Sequence, residues 1–240
     1  MDVQVLASGS GGNCYRISAG GSSLLLECGL TLRQIREGLD FGLSRVAGCL
    51  LTHEHGDHAR AAADLMRAGV DVYTSRGTAA ALDLAGHRLQ VIRAKQRFTV
   101  GPWNVIPFDM VHDAAEPLGF LIDSENERLL FATDTAYLRY RFSGITQLMI
   151  ECNYDLTTLK ANVAAGLVDR QVKRRVLHSH MHLETVRGLL EANDLSRVKE
   201  IWLLHLSDDN SDEERFKAEV RRLSGKPVYV AAQRQGGRST

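Results

Sequence analysis

Residues 53 to 58 read His53-Glu54-His55-Gly56-Asp57-His58, three imidazoles and an aspartate packed closely after the apolar run Gly48-Cys49-Leu50-Leu51-Thr52. Imidazole nitrogen and carboxylate oxygen are the donors from which borderline and harder transition-metal sites are built. The apolar run predicts a strand. If its extended geometry continues, His53 and His55 point to one side, and a turn at Gly56 throws Asp57 and His58 to another. One short loop of this kind can serve two neighbouring metal ions. The chemistry such a pair supports is hydrolysis: two divalent ions about 3.5–4 Å apart can activate a water and offset the charge developing on a phosphate.

The hexapeptide resembles the H-x-H-x-D-H signature of the metallo-β-lactamase fold hydrolases, and later segments fit that family's remaining ligands. His112 stands in Met110-Val111-His112-Asp113-Ala114, Asp134 in Leu129-Leu130-Phe131-Ala132-Thr133-Asp134, and His205 in Ile201-Trp202-Leu203-Leu204-His205. Each lies beside an apolar, β-like run, the place where open α/β sheets carry their chemistry. The resemblance implies that His53, His55 and His112 hold one metal, that Asp57, His58 and His205 hold the other, and that Asp134 bridges. It also implies an α/β four-layer αβ/βα sandwich, one domain over 1–232, followed by a polar tail, 233–240, expected to be disordered. Zinc is the default metal because histidine dominates the ligands, with manganese the alternative.

Three segments resemble the YycJ/WalJ-like group within that family. They are Ser8-Gly9-Ser10-Gly11-Gly12-Asn13, Glu151-Cys152-Asn153-Tyr154-Asp155 and His205-Leu206-Ser207-Asp208-Asp209-Asn210. The Gly-rich turn, with Ser10, Gly11, Gly12 and Asn13, is expected to form an anion-binding concavity, and Asn153 to join the substrate contacts. Two segments depart from the family pattern. Glu27-Cys28-Gly29 stands where Asp-x-Gly is usual, and its carboxylate can still orient a ligand imidazole. In His178-Ser179-His180-Met181-His182, either His180 or His182 is the substrate-facing general acid beside Asp57, since imidazole titrates near working pH; His178 is expected to turn away.

The 240-residue chain is long enough for one large α/β domain. Its 29 lysines and arginines balance 29 aspartates and glutamates, so no global field draws it to polyanions. Local patches can still act: Arg139 and Arg141 alternate with Tyr137, Tyr140 and Phe142, and Arg170, Lys173, Arg174 and Arg175 form a second cluster. Cys14, Cys28, Cys49 and Cys152 show no C-x-x-C spacing and read as reduced thiols. Neither a secretory leader nor a membrane span is visible, so a soluble, cytoplasmic protein is expected. The expected activity is a phosphodiester hydrolase, by resemblance a 5′-to-3′ DNA exonuclease. A small cyclic nucleotide is the alternative substrate, and a lactone or thioester a more distant one.

Period-two and short apolar runs predict strands near 3–6, 15–18, 24–28, 49–52, 72–74, 98–100, 103–106, 119–123, 129–132, 148–151, 201–204 and 228–230. Helical spacing predicts helices over 31–39, 57–68, 182–193 and 212–223.

Overall fold

Runs such as Leu24-Leu25-Leu26 and Leu129-Leu130-Phe131-Ala132 are too continuous for strands with one wet face, and suit strands covered on both. The computed structural model describes residues 1–231 and arranges such strands in two sheets. The first runs in the order β1 (Asp2–Ala7), β2 (Cys14–Ala19), β3 (Ser22–Leu26), β4 (Val46–Leu50), β5 (Val72–Thr74) and β6 (Leu89–Val91). It begins as an antiparallel meander and is parallel from β3 to β6. The second comprises β7 (Phe98–Val100), β8 (Trp103–Asp109), β9 (Leu118–Ser124), β10 (Glu127–Ala132), β11 (Gln147–Glu151), β12 (Glu200–Leu204) and β13 (Val228–Val230) in sequential order. It is antiparallel up to β10 and parallel from β10 to β13.

Three apolar clusters fill the interfaces between four layers. Alternate residues of one strand divide between them, as the period of two requires. Leu24, Leu26, Leu129, Phe131, Met149 and Leu204 meet in the core between the sheets. Leu25, Cys49 and Leu51 pack outward against Ile35 of α1 (Leu32–Gly38) and Leu65 of α3 (Ala62–Arg67). Leu130, Ile150 and Leu203 pack outward on the other side, against Val186 and Leu190 of α7 (Leu183–Ala192) and Phe216 and Val220 of α8 (Glu213–Ser224). The expected αβ/βα sandwich is therefore present as a single domain. The expected tail, 233–240, lies outside the described residues, as does Ala232. Among the described residues no helix is long and apolar enough to cross a membrane.

The expected helix over 57–68 is two pieces, α2 (Gly56–Ala59) and α3. Its ladder is interrupted because the Ala61 amide donates to the Cys28 carbonyl at 2.9 Å, while the Cys28 amide donates to the His58 carbonyl at 2.8 Å. A tertiary contact with the chain after β3 thus overrides helical periodicity. The periodicity reading missed β6, α4 (Arg76–Ala81), α5 (Leu156–Ala164) and α6 (Arg170–Ser179). These are short or largely polar, with little apolar pattern to find; α6 buries only Ser179.

Trp103 is fully buried between the sheets, with its indole N–H donating to Ser22 Oγ at 3.0 Å. Trp103→Ala should lower the unfolding free energy by about 3–5 kcal/mol. Urea titration should show this as a lower midpoint at unchanged slope.

Candidate metal centre

The chain leaves β4 at Leu50 and runs without regular structure through Thr52, whose hydroxyl meets His53 Nδ1 at 2.8 Å. His53 Nε2 then lies 3.1 Å from His55 Nδ1, and His112 Nε2 lies 3.1 Å from that same nitrogen. His112 arrives from the loop after β8. Its Nδ1–H donates to the Ser179 carbonyl at the end of α6, at 2.8 Å. A carbonyl can only accept, so a neutral His112 turns the lone pair of Nε2 to the other rings. With Asp134, the ligand atoms of these three histidines all lie within 4.8 Å of one another.

A second group adjoins the first and shares Asp134: Asp57, His58, Asp134 and His205, again within 4.8 Å. His58 Nε2 is 3.2 Å from Asp134 Oδ2 and 3.4 Å from Asp57 Oδ2. His205 Nδ1 is 3.4 Å from Asp134 Oδ1, and its Nε2 is 3.5 Å from Asp57 Oδ2. The backbone is bent to achieve this. Glu27, Asp134 and His205, just past β3, β10 and β12, all take left-handed conformations, with φ of 64°, 50° and 52°. Each costs about 1–2 kcal/mol relative to the right-handed region.

Behind the rings stands a set of fixed partners. Glu27 Oε2 lies 3.5 Å from His58 Nδ1. Asn13 sets its side-chain amide 3.0 Å from His58 Nε2, and its backbone N–H donates to the Asp57 carbonyl at 2.7 Å. Asn153 Nδ2 donates to the His205 carbonyl at 2.7 Å. Ser8 Oγ accepts from the His205 amide at 3.1 Å.

The electrostatics fit divalent cations. Asp134 is 2 % exposed, and among the described residues its ion-pair neighbours are His53, His58, His112 and His205, with no lysine or arginine. Burial alone would raise its pKa, but His205 and His58 outweigh it and hold Asp134 well below the usual carboxylate range. Burial likewise pulls His205 down, but Asp134, Asp57 and Glu151 push it up to about 10. His205 Nε2 is buried without a hydrogen bond. Buried carboxylates, converging ring nitrogens and an orphaned imidazole nitrogen form the donor set a pair of cations would satisfy.

The sequence-predicted residues divide sharply by position. His180 borders an open cleft of about 410 Å³ together with Ser10, His55, Asp57, Asp134, Asn153, Arg175 and His205. Its Nδ1–H donates to Glu151 Oε1 at 2.6 Å. Burial works against its charged form, yet Glu151 raises its pKa. His182 instead stands at the N-cap position of α7 without a side-chain cap bond, and its ring tilts against that of Tyr154 at 5.6 Å, away from that lining. His178 is exposed on the last turn of α6.

The Gly-rich turn departs from the expected concavity. The Gly12 amide is taken by the Gly9 carbonyl, the Gly9 amide by Asn13 Oδ1, and Asn13 is fully buried. Ser10 and Gly11 are left at the surface. Asn153 reaches the cleft only as a support for His205. Arg139 and Arg141 are exposed on an irregular segment, whose alternating Leu138, Tyr140 and Phe142 pack on the outer core; the Arg139 guanidinium lies over Tyr137. Sequence reasoning had no role for Glu151, which accepts from His180 and from the Thr135 and Met181 amides. Its position at the end of an apolar strand was the available signal.

The beta-lactamase superfamily domain matches residues 23–206. An exodeoxyribonuclease YycJ of Bacillus anthracis is 30% identical, with 93% of this chain and 89% of that protein aligned. An exodeoxyribonuclease WalJ of Streptococcus pneumoniae is 28% identical, over 88% of this chain and 83% of that one. Among solved structures, the metallo-β-lactamase fold protein YhfI from Bacillus subtilis superposes with a TM-score of 0.73 at 17% identity, covering 96% of each chain.

Gly29 is the tightest point behind the centre: a Cβ there would sit 1.7 Å from the Asp57 carbonyl oxygen. Gly29→Ala should displace α2 and remove most of the bound metal while the sheets survive. Metal content per chain, measured beside far-ultraviolet circular dichroism, checks this.

Proposed function

The chain belongs to the beta-lactamase superfamily and is a metal-dependent hydrolase, and from that premise we propose that it hydrolyses phosphodiester bonds of DNA as an exonuclease. The observation that carries the reading is the pair of adjacent ligand clusters sharing Asp134. The exodeoxyribonuclease relatives, matched over most of their length, support the substrate class.

We assign His53, His55 and His112 to one divalent ion, Asp57, His58 and His205 to the second, and Asp134 to both, with zinc or manganese as the metal. Bound there, the ions would supply the Lewis acidity that activates a water and offsets the charge developing on the phosphate. Asp57, between His58 and His205, orients the attacking water as well as holding its ion. His180 is the general acid for the leaving alkoxide. Its Nδ1–H is committed to Glu151, which leaves Nε2 for the cleft, and the carboxylate favours the protonated ring. Four buried free cysteines accord with a reducing, cytoplasmic setting.

The reading is tested with metal-supplemented enzyme on labelled single- and double-stranded DNA and RNA, cyclic nucleotides, bis-p-nitrophenyl phosphate and a homoserine lactone. DNA should be shortened progressively from its 5′ end. Cyclic nucleotides consumed far faster than DNA would replace the nuclease by a small-nucleotide enzyme.

Asp57→Ala should abolish hydrolysis in a soluble protein. His180→Ala should lower turnover by about 10²–10⁴-fold at normal metal content, the usual worth of a positioned acid. His182→Ala and His178→Ala should change it little. Equal losses from His180→Ala and His182→Ala would reassign the acid.

A further inference from the structure

The charged helices of this protein mostly satisfy themselves. Arg33 pairs with Glu37 in α1, Arg67 with Asp64 in α3, Arg187 with Glu184 in α7, and Arg215 with Glu219 and Lys217 with Glu214 in α8. Each pair spans three or four residues, the spacing at which helix neighbours meet. Helix α6 is different. It carries Arg170, Lys173, Arg174 and Arg175 and no acidic residue. Only Arg175 finds a carboxylate among the described residues, Asp113 at 3.6 Å. Like charges at this spacing destabilise a helix, and among the described residues Asp113 offsets only Arg175.

The cations are also ordered in space. Arg170, Arg174 and His178 recur every four residues, about 6 Å apart along the axis. With Gln171 and Arg175 they occupy one exposed face, while Lys173, Val176 and Leu177 on the other side are partly covered. The helix runs up to the metal-ligand cluster. Its C-terminal Ser179 carbonyl holds the His112 ring, His180 follows directly, and Arg175 and Val176 line the cleft beside Asp57, Asp134 and His205.

We infer that the exposed face of α6 is the track for the DNA strand, with Arg175 binding a backbone phosphate next to the cleaved one and Arg170 and Arg174 binding phosphates further along. This rests on the nuclease reading above, and gives it a binding surface distinct from Arg139 and Arg141. A phosphate reaching Arg175 takes over the guanidinium from Asp113, exchanging one exposed anion for another. Arginine suits the task because its planar fork grips phosphate oxygens in pairs.

The test is fluorescence anisotropy of a 5′-fluorescein-labelled single-stranded oligonucleotide with phosphorothioate linkages, titrated with the metal-loaded protein at several salt concentrations. Arg170→Glu/Arg174→Glu should weaken binding at least tenfold, and Arg170→Gln/Arg174→Gln should do the same to a smaller degree. The slope of log affinity against log salt should flatten by about 0.7 for each phosphate that is no longer neutralised. A control with the same change of charge on α8, Arg221→Glu/Arg222→Glu, should bind within twofold of the parent. Binding by the α6 variants that matches the parent, or an equal weakening in the α8 control, overturns the track. So does a loss of metal from the α6 variants that matches their loss of affinity.

The two readings fail separately. If the oligonucleotide follows the α6 pattern but no natural DNA is hydrolysed, the track stands and the nuclease falls. If DNA is hydrolysed with binding indifferent to α6, the nuclease stands and the track falls.

Discussion

A carboxylate removed from water is stable only where opposite charge and hydrogen-bond donors replace its hydration. Asp134 imposes that condition on the edge of the sandwich where both sheets end. No lysine or arginine reaches it among the described residues, so the imidazoles of His53, His58, His112 and His205 surround it instead. Those rings are themselves buried or half-buried, and each needs a fixed partner on its far side. Thr52, Glu27 and Ser179 supply them at Nδ1 of His53, His58 and His112, while Asn153 braces His205 by donating to its carbonyl. Much of the polar interior can be traced outward from this one buried charge.

The constraint extends to the backbone. Three strands end in left-handed residues at Glu27, Asp134 and His205, a conformation that few side chains other than glycine adopt freely. Such strain persists only where the surroundings over-determine it. The surroundings here are parallel strands buried on both faces, plus the bracket that Cys28 forms with His58 and Ala61. Gly29 lets the chain after β3 touch the Asp57 carbonyl, so the loop bearing Asp57 and His58 is braced against the first sheet. Tight apolar packing and polar chemistry are therefore one construction: the cores between layers hold the strand ends still, and the strand ends aim the rings.

Asp113 joins the centre to the surface. Its two oxygens lie 3.4 Å from His112 Nε2 and 3.6 Å from Arg175 Nε. It is therefore poised between the ligand cluster and α6, whose charged side chains are all basic. A chain of zero net charge can in this way present a local positive face without a global one.

Much of this was legible in the residues. The cluster from His53 to His58, together with His112, Asp134 and His205 beside apolar runs, identifies the groups that meet, because chemistry of this kind needs scarce residue types at strand ends. The continuous apolar strands fix the layered class, since only sheets covered on both faces bury every residue of Leu129-Leu130-Phe131-Ala132. What tertiary structure decided were directions. Whether Asn13 faces solvent or His58, and whether His180 or His182 opens on the cleft, depends on turns of a single residue, and the side-chain direction reverses with each. The break between α2 and α3 was equally invisible, because its cause, Cys28, lies some thirty residues earlier in the chain. The role of Glu151 was hidden for the same reason: a carboxylate at a strand end has no preferred partner until the fold brings one to it.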